Sequence, residues 1–197
     1  MEKVRKKLDI SFNSPIVLTF SMICLAALIM GTLTGGITND LLFSVYSSSL
    51  ASPFTYLRFI GHVFGHVGWD HFIGNITLLL LIGPMLEEKY GSKNILFVIL
   101  ATAVITGLVN FIFFPHVHLL GASGVVFAFI LLSSFTSISD GKIPLTFLLV
   151  LIIYMGGQVY DALFVKDNVS NLTHIIGGGV GSVLGYVMTK NKMDNYH

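Results

Sequence analysis

Charged side chains are scarce in this sequence. Only 11% of its 197 residues are Asp, Glu, Lys or Arg and 54% are hydrophobic, whereas an ordinary soluble domain is about 25% charged. A chain this short cannot bury so much apolar surface in a water-soluble core, which excludes a soluble enzyme and a disordered chain. The net charge of +1 offers no basic surface to nucleic acid, and a single cysteine, Cys24, excludes a disulfide scaffold. The composition therefore predicts an integral membrane protein of one domain.

Stretches without any charged residue predict the helices that cross the membrane, because a spanning helix needs about 20 mostly apolar residues. The run 94–139 is long enough for two helices, and Pro115 breaks it near its middle. The run 41–57 is rich in serine and interrupted by Pro53, so we predict a loop there. The predicted helices lie at 15–36, 71–88, 94–114, 122–139, 143–162 and 171–189. The predicted fold is an all-α membrane protein, a six-transmembrane-helix bundle at 15–190, with short cytoplasmic ends at 1–14 and 191–197.

Lys and Arg residues predict the orientation, because cytoplasmic loops carry an excess of both. With six spans both termini share one side, which then holds nine of these residues and leaves Arg58 and Lys166 on the other. This predicts a multi-pass protein of the plasma membrane with both termini in the cytoplasm, and with loops 37–70, 115–121 and 163–170 outside. A cleavable signal peptide is an alternative for the first segment. Its apolar stretch exceeds the usual length of about 7–15 residues, which favours a retained helix.

Polar residues within the predicted spans are costly in hydrocarbon, so they face the protein interior and often mark a functional site. On the predicted topology three groups of them lie toward the outer side and could meet. These groups are His62, His66, Trp69, Asp70, His71 and Asn75; Gly121, Ala122, Ser123 and Gly124; and Thr173 and His174, which Gly177, Gly178, Gly179, Gly181 and Gly185 follow.

Ser123 and His174 are candidates for a catalytic pair. At the start of a helix, free backbone N–H groups and the helix dipole could hold an oxyanion beside Ser123, and the glycines on either side leave room for a substrate backbone. His174 shares a helix face with Gly177 and Gly181, and small residues at this spacing let helices pack closely in membranes. Such packing would bring His174 to Ser123, and a serine–histidine pair is the minimum for acyl transfer. A serine N-cap and a packed histidine are the structural alternatives.

His71 and Asn75 are one helical turn apart and therefore share a helix face. Both side chains can donate hydrogen bonds, so with the backbone N–H of Ser123 they could form an oxyanion hole; hydrogen bonds between helices are the alternative. A metal site formed by His62, His66 and His71 is a competing interpretation. However, the sequence has no H-E-x-x-H motif and no carboxylate beside the histidines within a span, so we expect neither a metal nor a cofactor.

Together these residues resemble the rhomboid family of intramembrane serine proteases. The H-x-x-x-N motif matches His71 to Asn75, the G-x-S-x motif matches 121–124, and the sixth-helix pattern matches His174 and its glycines. The family's G-x-x-x-E-x-x-x-G motif matches 83–91. The resemblance covers roughly residues 55–188 and preserves the order of the motifs.

This resemblance implies a six-helix fold with a water-filled cavity below the outer surface. It implies that Ser123 is the nucleophile, that His174 is the general base and then the acid, and that His71, Asn75 and the Ser123 N–H stabilise the oxyanion. It assigns structural roles to His66, in the first outer loop; to Glu87, near the inner surface; and to Phe127, which replaces the tyrosine that many bacterial members stack on the catalytic histidine. A short form without further domains is typical of bacterial members.

The sequence thus predicts an intramembrane serine endopeptidase that acts on single-pass membrane proteins within the lipid bilayer. A catalytically inactive, rhomboid-like binder of transmembrane helices is one alternative, and a small transporter is another. The sequence shows no internal repeat and no acidic residue deep in a span, which disfavours the transporter.

Overall fold

The computed structural model describes residues 11–135, 145–150, 152–153, 156 and 168–194. The helices of this part of the chain are α1 (Pro15–Leu33), α2 (Pro53–Gly61), α3 (Trp69–Tyr90), α4 (Ser92–Phe113), α5 (Ser123–Phe135), α6 (Leu145–Val150) and α7 (Asn168–Asp194), with single turns at Asn39–Phe43 and His62–Phe64. Three of them, α1, α3 and α4, are long and apolar enough to cross a membrane, and α5 and α7 contain shorter apolar stretches. The described residues therefore form a helical membrane bundle, and the number of six spans stays a prediction.

The ends of two predicted helices differ from the observed ones. The first helix was expected to reach residue 36 but ends at Leu33, because Gly35 and Gly36 follow with φ of 62° and 93°, a left-handed conformation that ends a helix. The last helix was expected at 171–189 but runs over Asn168–Asp194. It therefore includes the end of the predicted outer loop and the start of the predicted tail.

The predicted fifth helix, at 143–162, lies largely outside the described residues. Its described part begins with α6 at Leu145–Val150. The end of the predicted fourth helix, beyond residue 135, and most of the predicted outer loop at 163–170 also lie outside them.

The prediction of a loop throughout 41–57 is wrong, because α2 begins at Pro53. Proline is favoured in the first turn of a helix, where its missing N–H would have no intrahelical partner. The helix buries its polar residues Thr55 and Arg58 and exposes its large apolar ones. These are Phe54, Tyr56, Leu57 and Ile60. This pattern is the reverse of that of a helix on a soluble protein.

The middle of the bundle is α5, which packs against α3, α4 and α7. Its side chains from Val125 to Leu132 are buried, with the exception of the half-buried Phe127. A helix that is apolar on all sides is a core helix. Ser123, the first residue of α5, is consequently attached to one of the most enclosed elements of the structure.

Glu87 of α3 holds the start of α1. The backbone N–H groups of Ile16 and Val17 donate to its two carboxylate oxygens at 3.0 Å each, and the hydroxyl of Ser92 donates to one of them at 2.7 Å. The first N–H groups of a helix have no intrahelical acceptor, and a buried carboxylate needs donors. Each group therefore satisfies the other, and Glu87 fastens α1 to α3 at the end of α3 away from Ser123.

Candidate active site

The turn before Ser123 requires glycine at position 121. Gly121 has a φ of 143°, which side-chain-bearing residues rarely adopt. A Cβ atom there would lie 2.8 Å from Cε1 of His71 and 3.7 Å from the hydroxyl oxygen of Ser123. The backbone N–H of Gly121 donates to the carbonyl oxygen of His62 at 2.9 Å. His71 and Ser123 thus both lie next to Gly121, and a hydrogen bond connects the turn to His62, in the short segment between α2 and α3.

One cavity, of about 420 Å³, collects the candidate catalytic residues. Ser123 comes from α5, His174 from α7, and His71 with Asn75 from the first turns of α3. The remaining lining residues are Asp70, Gly74, Leu78, Val126 and Phe127. The structure therefore brings together four side chains that the sequence places on three separate predicted helices.

Two glycines of α7 allow it to lie directly on α5. A Cβ atom at Gly177 would overlap the carbonyl oxygen of Gly124, and one at Gly181 would overlap that of Ala128. One turn earlier, a Cβ atom at Gly124 would be 3.5 Å from a methyl group of Thr173, so α5 stays close to α7 at the level of His174. The sequence predicts close packing from these glycines, and this packing places His174 in the cavity that Ser123 also lines.

Phe127 fixes the plane of the His174 ring. The two rings are stacked, with centroids 4.4 Å apart and planes inclined by 6°. Phe127 lies four residues after Ser123 on α5, so the serine and the stacking ring occupy the same face of one helix. A phenylalanine can supply this contact, although it lacks the hydroxyl group of a tyrosine.

His71 and Asn75 offer polar groups to whatever occupies the cavity. Nδ2 of Asn75 and Nδ1 of His71 are buried and have no hydrogen-bond partner within the part of the chain that the structure describes. Buried polar groups are usually paired, so these two nitrogen atoms are candidates for hydrogen bonds to a ligand.

His66 supports the ring of His71 from outside the cavity. The two rings meet edge to face with centroids 5.1 Å apart, and Nδ1 of His66 donates to the carbonyl oxygen of Phe64 at 3.1 Å. Burial, and secondly the neighbouring His71, lower the pKa of His66 from 6.5 to about 4. His66 is therefore a neutral packing group at neutral pH.

His62 is fully occupied by contacts of its own. Its Nδ1 donates to the carbonyl oxygen of Arg58, and its Nε2 lies 3.2 Å from the hydroxyl of Thr106. Burial lowers its pKa from 6.5 to about 4. Within the described residues, no group of three His, Cys, Asp or Glu side chains is arranged to hold a metal ion.

The segment before α2, residues 45–52, is held in place by Arg58. Its guanidinium group donates to the hydroxyls of Ser48 at 2.6 Å and Tyr46 at 2.9 Å. An antiparallel bridge pairs Val45 with Leu119, in the loop that leads to Ser123. The segment before α2 and this loop are consequently joined by hydrogen bonds.

Asp70 and Gly74 are lining residues that the motif analysis did not assign to the site. Both belong to α3 and, being four residues apart, share a face of it. The available signal in the sequence was their position. Asp70 directly precedes His71 and Gly74 directly precedes Asn75, so this pair has the same spacing of four residues as the assigned pair.

A family model described as the rhomboid domain matches residues 53–191. The chain belongs to the rhomboid family. It is 30% identical to Rhomboid-related protein 2 of Mus musculus over 159 residues, which are 71% of this chain and 53% of that protein. It is 29% identical to Rhomboid-related protein 1 of Caenorhabditis elegans over 147 residues, 70% of this chain and 41% of that protein. Rhomboid protease GlpG of Haemophilus influenzae is 28% identical over 140 residues, 68% of this chain and 70% of that protein.

The chain thus spans about half, or less, of the length of the first two of these rhomboid relatives. Membership of the rhomboid family confirms the resemblance predicted from the motifs. It agrees with a membrane-embedded helical protein, and it places the chain in a family known for intramembrane serine proteases.

Proposed function

We propose that this chain is an intramembrane serine endopeptidase that cleaves single-span membrane proteins within or next to their transmembrane helix. The observation that carries the proposal is the single cavity lined by Ser123, His174, His71 and Asn75. Family membership supports it, because relatives such as GlpG of Haemophilus influenzae bear the name rhomboid protease.

In the first step, Ser123 Oγ attacks the carbonyl carbon of the substrate while the imidazole of His174 takes the hydroxyl proton. A serine hydroxyl is a weak nucleophile until a base removes that proton. The stacked ring of Phe127 restricts the rotation of the imidazole, and close helix packing at Gly177 keeps it near α5. Packing thus supplies the orientation that an aspartate gives the histidine of a triad.

The attack places a negative charge on the former carbonyl oxygen. The Ser123 N–H at the start of α5, the amide of Asn75 and the ring of His71 are the groups that would donate hydrogen bonds to it. Removing one such donor typically lowers kcat by about 10²–10³-fold.

The tetrahedral intermediate then collapses: the C–N bond breaks, and His174 transfers its proton to the leaving amine. Water, deprotonated by His174, attacks the acyl-enzyme, and the proton returns to Ser123 as the carboxylate product leaves. The substrate helix must unwind before the first step, because the backbone of a helix shields its own peptide bonds, so residues of low helix propensity favour cleavage.

We further propose that the protein crosses a bacterial plasma membrane six times with both termini in the cytoplasm. The excess of Lys and Arg on the side of the termini supports this orientation. Ser123 and His174 then lie toward the outer surface.

The substitution Ser123→Ala tests the proposal. Purified protein in detergent is assayed with a panel of single-span substrates and is labelled with a fluorophosphonate probe. Wild type is expected to cleave and to be labelled, and Ser123→Ala to do neither at an unchanged yield. The matched control is Ser134→Ala on the same helix, where the hydroxyl donates to the carbonyl of Ile130. Cleavage by Ser123→Ala would exclude this nucleophile, and absence of cleavage and labelling in wild type would favour the inactive binder.

A further inference from the structure

We propose that Asp70 is a specificity-determining residue, which selects substrates with a Lys or Arg side chain close to the bond that is cleaved. The inference rests on the proposed protease function and adds the chemical class of the substrate. It follows from the charge at one end of the cavity and the open space next to it.

Asp70 is the single acidic residue among those that line the cavity. The other polar residues of the lining are His71, Asn75, Ser123 and His174, and Gly74, one turn along α3 from Asp70, has no side chain. Asp70 is exposed, and no Lys, Arg or His side chain lies within 4.0 Å of its carboxylate in the described part of the chain. Its carboxylate is therefore available to a ligand that enters the cavity.

Gly74 leaves an open strip of α3 beneath Asp70. A Cβ atom at Gly74 would have no neighbour within 4 Å, and Gly74 lies one turn, about 6 Å, further along the helix on the same face as Asp70. Lys and Arg side chains bury an apolar stem and keep a charged head in water. Such a stem fits over Gly74 while its head reaches Asp70.

The location allows charge discrimination. Asp70 is in the first turn of α3 and lines the same cavity as Ser123. Complementary charges between two binding partners favour the correct partner, and like charges disfavour the wrong one. A substrate with Glu at the same position would bring two carboxylates together.

A role of Asp70 in helix stability alone makes a different prediction. An acidic residue in the first turn interacts favourably with the helix dipole. Its loss would then lower the stability of the protein and change the activity toward every substrate by the same factor. Only a residue that contacts the substrate would change the ratio of activities toward Lys and Glu substrates.

The test uses the full chain in proteoliposomes and single-span substrates that differ at one position at a time on either side of the cleavage site. At each position the substrate carries Lys, Met, Gln, Glu or Ala, and kcat/KM is measured. Wild type is expected to prefer Lys over Glu by about tenfold at one position. Asp70→Asn is expected to reduce this ratio to within about twofold, and Asp70→Lys to invert it. Glu88→Gln, at the other end of the same helix, is the control and is expected to keep the wild-type ratio.

Two further measurements keep the inference separate from the proposed function. Binding of the same substrates to Ser123→Ala is measured, so that charge selection is read without catalysis. Gly74→Leu is expected to lower the activity toward Lys substrates more than toward substrates with Ala at that position, because it fills the strip that the stem needs. A ratio of Lys to Glu near one in both cleavage and binding overturns the role of Asp70, even where cleavage itself is normal. Loss of cleavage with retained charge-selective binding overturns the protease proposal and supports Asp70.

Discussion

The buried histidine His62 makes the stability of the protein sensitive to acid. His62 is completely enclosed and its pKa lies near 4 in the folded protein, compared with 6.5 for an ordinary histidine. The unfolded chain therefore binds a proton first as the pH falls. The stabilising contribution is fully present above pH 6.5 and is lost as the pH falls from 6.5 toward 4.

His62→Gln is expected to reduce the acid sensitivity of the protein. Between pH 7 and pH 5, the titration of His62 costs wild type about 2 kcal/mol of unfolding free energy, and this variant removes that loss because glutamine does not titrate. Unfolding of both proteins in the same detergent at the two pH values measures the difference. His116→Gln, which replaces an exposed histidine, is expected to behave as wild type. An equal loss of stability in wild type and His62→Gln would contradict the assignment.

Most residues of the candidate site can be found from the sequence, because their chemistry is unusual for their surroundings. A serine between glycines and a histidine in an apolar run are polar groups that lipid does not tolerate. Asp70 is harder to place, because an acidic residue at a helix start has an ordinary structural explanation. Its position in the cavity depends on the approach of α5 and α7 to α3, which no local pattern specifies.

Helix packing can be predicted in part from the spacing of small residues. The glycines at 177 and 181 predict a close contact between the last helix and the helix that begins at Ser123, and the structure has this contact between α7 and α5. The short helix α2 is not predicted, because the serine residues and Pro53 in the run 41–57 are typical of a loop. The pair Ser52–Pro53, a cap residue followed by a proline, was the available signal.

Gly177→Ala is expected to destabilise the bundle, although alanine is the better helix former. Its methyl group overlaps the carbonyl of Gly124, and overpacking of this kind costs about 1–3 kcal/mol. Thermal unfolding in detergent, together with cleavage of a model substrate, measures the effect. Gly179→Ala is the matched control on the same helix. Gly179 is exposed and a Cβ atom there meets no neighbour within 4 Å, so this variant should be neutral or slightly stabilising. A Gly177→Ala protein as stable as Gly179→Ala would show that the helices do not pack this closely.

At the scale of the whole molecule, the described residues are polar at one end of the bundle. The cavity and the buried side chains of Arg58, His62 and His66 lie at the end where α3 begins, and Glu87 lies near the other end of α3. Composition suffices to predict that this chain is a membrane protein. The number of spans stays a prediction, because most of the predicted fifth helix and the end of the predicted fourth helix lie outside the described residues.

The orientation can be tested with a membrane-impermeant maleimide. The one natural cysteine, Cys24, is completely buried, so wild type is expected to give little background labelling. In intact bacterial cells His116→Cys should react, whereas Lys93→Cys should react only after the membrane is opened. Both positions are exposed in the structure, so access to the reagent depends on the side of the membrane. Labelling of Lys93→Cys in intact cells would contradict cytoplasmic termini.

The bridge from Val45 to Leu119 and the hydrogen bond from Gly121 to His62 connect two distant parts of the chain to the loop that precedes Ser123. Only three residues separate Leu119 from Ser123, so we expect a displacement of Val45 to be transmitted to the serine. A change in the pairing of Val45 with Leu119 is therefore expected to alter the backbone at Ser123 without any change in the residues that line the cavity.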